Sequence, residues 1–600
     1  MLNRREDPMV KRSSFSFAWQ GVAMLLFLGM LLARVLGQDS FVAIPPAQAS
    51  SYHFDFARNF FISPEAEKAD RDRLYATLKD LESLKGRLAK SADNLYRGLK
   101  LNDAVQVQLN RHYSYLYLRN AVNTNDETSR TESARLDAEV TARTAFLQQE
   151  LMQIDEKTLN RLVSQNQRLK EYLPAIAAVR RYQSHRLSLK EEELLSATAP
   201  NNDWPYELYE KLTTRREIGP QERELFAFAL MRLAGVRTRL AQLHHFDDAA
   251  GEAYFNSYWT KAEVDTLLAQ IAQKADLYKR YQRLRADNSK RVKSTTSASQ
   301  PPRFTISQAS EIIRNSLSPL GSDYGRELAA LLDPANGRMD IVPGEHRKRG
   351  GFSQGFIGTD SVFYSFGFAG TYNDMRILTH ESTHAVHRQL MNRNHVLPAY
   401  AEGPHYLFEA FAIFNEFLLP DYLYNHESEP LRKQFYLEQF LEGKGTAMFY
   451  VTPEVALEHA VYKGVKEGSI KGADDLDALT MRVYLPYSIS PEKNAELKSQ
   501  WTKLSLMYED PFYYVNYIYG AMLALKFYEM YTRDPEHFIP RYIALIKNGF
   551  DAPPAILLKR FLDIDLHDPQ LVANALSVIE KKVDLLEKSY QQTGTANAAP

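Results

Sequence analysis

His380-Glu381-Ser382-Thr383-His384 restricts the fold of this 600-residue chain more than any other short segment. Two imidazoles four residues apart on a helix project from one face, where both can reach a single Zn²⁺. Glu381, next to the first histidine, then stands where a carboxylate can take a proton from water. Nothing between Asn373 and Gln389 breaks a helix, and Asn373 and Asp374 are suitable N-caps. The inward face would carry Ile377, His380, Glu381, His384 and either His387 or Arg388. A motif with three fixed letters also arises by chance, and the competing reading is two core or surface histidines. Against it stands the coincidence of three histidines, a glutamate and further acids downstream.

Catalytic zinc usually takes three protein ligands and keeps a fourth position open. The segment Tyr406 to Leu419 is apolar enough for a buried helix, yet it contains Glu409 and Glu416. Carboxylates in such surroundings need a cation or hydrogen bonds. Glu409 follows His384 after a helix end and a loop, so a second helix packed on the first could deliver it as the third ligand. Glu416 is seven residues further, on the same helix face, and is assigned a supporting role.

Composition excludes several other classes. The 73 basic and 74 acidic residues cancel almost completely, so no basic excess points to nucleic acid. Cysteine is absent, which removes disulfides and cysteine-based metal or nucleophile chemistry. With 35 Tyr and 31 Phe the chain can build a large helical core and grip peptides through apolar contacts.

Arg4, Arg5, Lys11 and Arg12 precede an apolar stretch from Phe15 to Ala33. A basic leader with such a core reads as an export signal, and Pro46-Ala47-Gln48-Ala49 offers a cleavage site before Ser50. The stretch also approaches the length needed to span a bilayer. Uncut, it anchors the chain through residues 15–36 with the remainder outside the cytoplasm, that is, periplasmic or otherwise exported. Residues 1–50 are therefore read as signal or anchor plus linker. Residues 51–300 read as an N-terminal helical region, 301–587 as the catalytic region, and 588–600 as a disordered tail. Ser289 to Pro302 is Ser/Thr-rich and reads as an exposed loop or linker. The Gly- and aromatic-rich run Gly355 to Gly370 predicts short β structure just before the motif helix. An exposed edge there could pair with an extended peptide.

The runs Tyr364 to His387 and Phe408 to Leu419 resemble the oligoendopeptidase F branch of the thimet-oligopeptidase family of zinc metallopeptidases. Asp340 to Ser353 is similar to that family's Gly-Gly segment, and Phe512 to Gly520 to its Tyr-rich helix. Together with a weaker likeness over Ala229 to Ala241, the match covers roughly residues 220 to 580. The resemblance implies one zinc per chain on His380, His384 and Glu409, with Glu381 as general base. It also implies a mainly α fold whose two lobes enclose a deep channel, with a small β region beside the active-site helix. Short unfolded peptides would enter such a channel and folded proteins would not.

Two positions depart from the family pattern. Thr383 stands where relatives have glycine, and Met507 stands where they have a histidine that helps stabilise the oxyanion. Methionine donates no hydrogen bond, and losing one oxyanion donor costs on the order of a hundredfold in rate. Tyr513, Tyr514, Tyr517 and Tyr519 are the candidate replacements, with Tyr513 and Tyr517, four apart, placed on the cleft side. The reading is a zinc-dependent endopeptidase acting on short peptides. The alternatives are a catalytically impaired peptide-binding relative and a carboxydipeptidase-type exopeptidase, the latter needing a cation for the substrate's terminal carboxylate.

Overall fold

The computed structural model describes residues 41–198, 204–213, 218–293, 301–491, 494 and 496–596. Helices dominate, and the main ones that frame the site are α1 (Pro64–Glu82), α2 (Ala92–Val122), α3 (Glu127–Gln153), α4 (Pro220–Leu243), α5 (Tyr372–Arg393), α6 (His405–His426), α7 (Ala447–Glu467) and α8 (Val515–Arg533). The β structure consists of β1 (Met339–Asp340), β2 (Gly351–Gln354) and β3 (Val362–Ser365), in the order β1-β3-β2. Strand β3 is central, parallel to β1 and antiparallel to β2. The mainly α architecture with a small sheet beside the motif helix is as the sequence leads one to expect. The edge strand next to that helix, however, comes from the Gly350-Gly351 segment, and the run 355–370 supplies the middle strand.

Apolar side chains separate into two main cores. Residues between Leu74 and Ile176, from α1, α2, α3 and the short helices that follow α3, form one. Tyr209 onward forms the other, which takes in α4 and every helix of the catalytic region through Tyr590. Phe352, Val362 and Tyr364 of the sheet join Tyr117 and Leu118 of α2 with Phe54, Phe60 and Phe61, bridging the two.

Three stretches differ from expectation. Phe41 to Tyr52 packs on the catalytic region: Ile306 donates its N–H to the Ala43 carbonyl, and Ile341 donates to that of Tyr52. The cleavage-site residues Pro46–Ala49 lie within a short 3₁₀ helix, Pro46–Tyr52. The final helix, Leu571–Ala596, runs on into the stretch read as disordered. It holds its register there because Tyr590 donates to Glu438 and the buried Thr593 hydroxyl lies 3.0 Å from Gln434 Oε1. The helix Ala275–Lys293 likewise continues into the linker read from Ser289, with Arg291 donating to the Tyr590 carbonyl. Residues 15–36 and the basic leader lie outside the described residues. Among the described residues no helix is long and apolar enough to cross a membrane.

Candidate active site

Helix α5 begins two or three residues earlier than its sequence suggests. Thr371 is the N-cap: its hydroxyl accepts the Asp374 N–H, and the Asp374 carboxylate accepts the Thr371 N–H. Asp374 therefore closes a reciprocal cap rather than forming the cap itself. From Thr379 to His387 every residue of α5 is buried, between β2 on one side and α6 on the other.

Helix α6 packs most extensively on α8, and Gly520 sets how closely they approach. A Cβ at Gly520 would lie 2.8 Å from the Glu409 Cβ, too close for a side chain, and 3.4 Å from the Tyr406 carbonyl oxygen, in van der Waals contact. The absence of a side chain there lets α8 press Glu409 toward α5.

His380, His384 and Glu409 converge, with one ligand atom from each lying within 4.8 Å of the others. The two Nε2 atoms are 3.1 Å apart, and the Glu409 oxygens lie 3.6 Å from His380 Nε2 and 3.9 Å from His384 Nε2. Tetrahedral ligands at about 2.0–2.1 Å from zinc are separated by roughly 3.3–3.4 Å. The spacing and the nitrogen and oxygen donor set therefore fit such an ion.

Glu416 is placed to orient this group. Its Oε1 lies 2.5 Å from His380 Nδ1 and its Oε2 accepts from Arg376 at 2.6 Å. Burial raises its carboxyl pKa, but Arg376 and then His380 outweigh that and hold it well below the usual range, as an anion. An anion on Nδ1 fixes the tautomer that leaves Nε2 free for a metal. Arg376 sits four residues before His380 on the same face. That i−4 spacing is the signal by which its partnership with Glu416 could have been found in the sequence.

Thr383 also has a clear role in its setting. Its hydroxyl donates to the Thr379 carbonyl at 2.8 Å and accepts from Asn415 Nδ2 at 2.8 Å, and Asn415 also donates to the Tyr324 hydroxyl. The Thr383 side chain thus ties α5 to α6. Glu381 is buried, and a Cβ on Gly351 would meet its Cγ at 3.5 Å, which places the Glu381 stem beside the edge strand β2. Among the described residues no hydrogen bond or ion pair holds its carboxylate.

The four tyrosines divide in two. Tyr514 is buried near Glu454, Tyr484 and Glu458, while Tyr519 stacks on Trp259 at 3.9 Å, so both belong to the core. Tyr517 stays partly exposed; burial and then the Glu409 charge push its phenol well above the ordinary value, so it remains a donor. Tyr513 packs edge-on to Tyr517 at 5.4 Å and to His405 at 5.7 Å. Met507 is fully buried in the second core. His387, which shares the α5 sequence face with the motif, lies among Phe408, Phe411 and Phe550. Burial and then the Arg388 charge lower its pKa to about 3, and it is a neutral core residue.

Residues 333–574 match the model of peptidase family M3, and residues 150–216 that of oligopeptidase F. The chain belongs to peptidase family M3. Oligopeptidase PepF of Bacillus subtilis is 23% identical over 588 residues, covering 88% of this chain and 86% of that one. An oligoendopeptidase F homolog of Lactococcus lactis is 20% identical over 566 residues, covering 84% and 92%. In fold, this M3 peptidase is similar to a chain from Chlamydophila abortus, at 17% identity and a TM-score of 0.76 over 91% of this chain and all of that one. It is also similar to oligoendopeptidase-F from Enterococcus faecium, at 17% identity and a TM-score of 0.61, covering 88% and 100%. As a member of M3 it is a metallo-oligopeptidase.

Proposed function

We propose that this M3 peptidase is a zinc-dependent endopeptidase of short unfolded peptides, with the ion held by His380, His384 and Glu409. The observation that carries this reading is the convergence of those three buried side chains from two helices, with Glu381 on the same turn of α5. A zinc ion bound there supplies Lewis acidity for water and for the scissile carbonyl. Glu381 takes the proton of the attacking water and returns it to the leaving amine. Tyr517 and Tyr513 present phenol donors toward the developing oxyanion, and Glu416 with Arg376 keeps His380 oriented. The edge of β2 offers main-chain groups to an extended peptide, which gives binding with little demand on side chains.

Metal analysis of the purified protein should find one zinc per chain, and chelation should abolish peptide cleavage. Glu381→Gln should keep the zinc and lose nearly all hydrolysis; cleavage at an undiminished rate by that variant would exclude the mechanism.

Met507 supports a second reading, a peptide-binding relative with weak catalysis, because its burial leaves no histidine donor at that position. Turnover numbers on a mixed peptide set separate the two. Mass spectrometry of the same digests distinguishes internal cuts from release of C-terminal dipeptides.

A further inference from the structure

Arg388 lies four residues past His384, one turn further along the face that carries the histidines. The residue is half-buried, and its guanidinium donates from Nη1 to Ser353 Oγ at 2.8 Å and sits 5.6 Å from the centre of the Phe408 ring. Among the described residues no carboxylate pairs with it. That is unlike Arg376 on the same helix, which is paired with Glu416, and Arg347 beside the sheet, which is paired with Asp340. A guanidinium carries five donors in a planar fork that matches a carboxylate. With one neutral hydroxyl and one aromatic face beside it, the fork has donors left over for an incoming carboxylate.

The sheet shows what passes in front of it. Gly350 accepts the Phe366 N–H, and β2 pairs with β3 in the register Gly351↔Ser365 and Ser353↔Phe363. Hydrogen-bonded and non-hydrogen-bonded pairs alternate in an antiparallel ladder, so Phe352 and Gln354 bond to β3. The main-chain groups of Gly351 and Ser353 then face the outer edge. Gly351 stands beside Glu381, and Ser353 is bonded to Arg388. A peptide lying along this edge with its scissile bond at Glu381 has a residue about two positions away, roughly 7 Å, at Arg388.

We propose that Arg388 binds a substrate carboxylate about two residues from the cleaved bond and so sets a preference for that charge. The proposal rests on the peptidase reading above. The carboxylate has two possible sources. A peptide antiparallel to β2 would bring an acidic side chain on the N-terminal side of the cut. A parallel one would bring the free C-terminus of a short leaving fragment.

The test uses the full chain with zinc and matched fluorogenic peptides. One series places Glu or Gln at each position near the cut, and the other ends in a free acid or an amide. In one series the carboxylate member should be preferred roughly ten- to hundredfold in kcat/KM, as a charge-assisted pair would give. Arg388→Gln should bring that ratio close to one, and Arg388→Glu should reverse it toward Lys-containing peptides, a gain that misfolding cannot produce. A ratio near one in the wild type, or one unchanged in Arg388→Gln, overturns the proposal. If the wild type cleaves no peptide, the peptidase reading fails instead. The Arg388 ratio is then read from equilibrium binding of the same peptide pairs to Glu381→Gln, with the same two outcomes.

Discussion

At the scale of single residues, the site depends on groups that touch no metal. Glu416 contacts His380 Nδ1 and Arg376 together, so Glu416→Gln removes the anion that orients the imidazole. Zinc affinity, measured by competition with a chromogenic chelator, should fall about ten- to hundredfold, in line with other partners of metal-bound histidines. Thr383 shows a different dependence. Thr383→Val keeps its shape but leaves a buried Asn415 donor with one acceptor fewer. Chemical denaturation should show a loss of about 1–3 kcal/mol, while zinc stoichiometry is retained. The identity of Thr383 is plain in the sequence. Its partner Asn415 is not, because only the packing of α5 on α6 brings the two together.

At the scale of elements, two contacts hold the tyrosine segment against the site. The first is the close approach of α6 and α8 at Gly520. Gly520→Ala would drive a methyl group into the Glu409 Cβ, so the helices must separate or Glu409 must swing out. Either response should lower both zinc affinity and thermal stability, the latter by about 1–3 kcal/mol, as is usual for overpacking. The second is Glu458 of α7, whose carboxylate oxygen accepts the Phe512 N–H at 2.8 Å. Phe512 has a φ of +69°, an uncommon conformation for a residue with a side chain, and this hydrogen bond fixes the turn that launches Tyr513 and Tyr514.

Glu458 is fully buried, and that burial pushes its carboxyl well above the ordinary range, so it holds its proton in the fold. The unfolded chain loses that proton near pH 4.3, a typical glutamate value. The contribution to stability is therefore complete below about pH 4.3 and declines as pH rises toward the folded value, by at most about 1.4 kcal/mol per pH unit. Glu458→Gln keeps an acceptor for Phe512 and cannot ionise. Denaturation midpoints of that variant should decline less than those of wild type between pH 5 and 8; parallel pH profiles would rule out this account.

At the scale of the whole molecule, the stretch Phe41–Tyr52 bears on processing. A cut after Ala49 would remove Phe41, whose ring lies against Gly370 and Arg303, and Ala43, whose carbonyl accepts from Ile306. We propose that the chain keeps this stretch and that the apolar segment 15–36, retained ahead of it, anchors the chain with the remainder outside the cytoplasm. N-terminal sequencing should then find a start ahead of Phe41, with the protein in the membrane fraction; a mature start at Ser50 would exclude this. The division into two cores also belongs to this scale. Residues Tyr209 to Tyr281 pack with the catalytic helices, although in sequence they continue the same pattern of amphipathic helices as residues 64–176.

The sequence alone determined the motif helix, the identity of the chemistry-bearing residues and the family, because helical spacing and local apolar context are short-range properties. Tertiary structure decided everything that depends on one element meeting another. It set Glu409 beside the histidines through a glycine on α8, placed Glu416 between His380 and Arg376, and turned Tyr513 and Tyr517 one way and Tyr514 and Tyr519 the other. It also made β2 rather than β3 the edge strand and brought its Ser353 to Arg388. Those outcomes follow from helix–helix distance and strand order, which are set by the packing of side chains far apart along the chain and have no local signature.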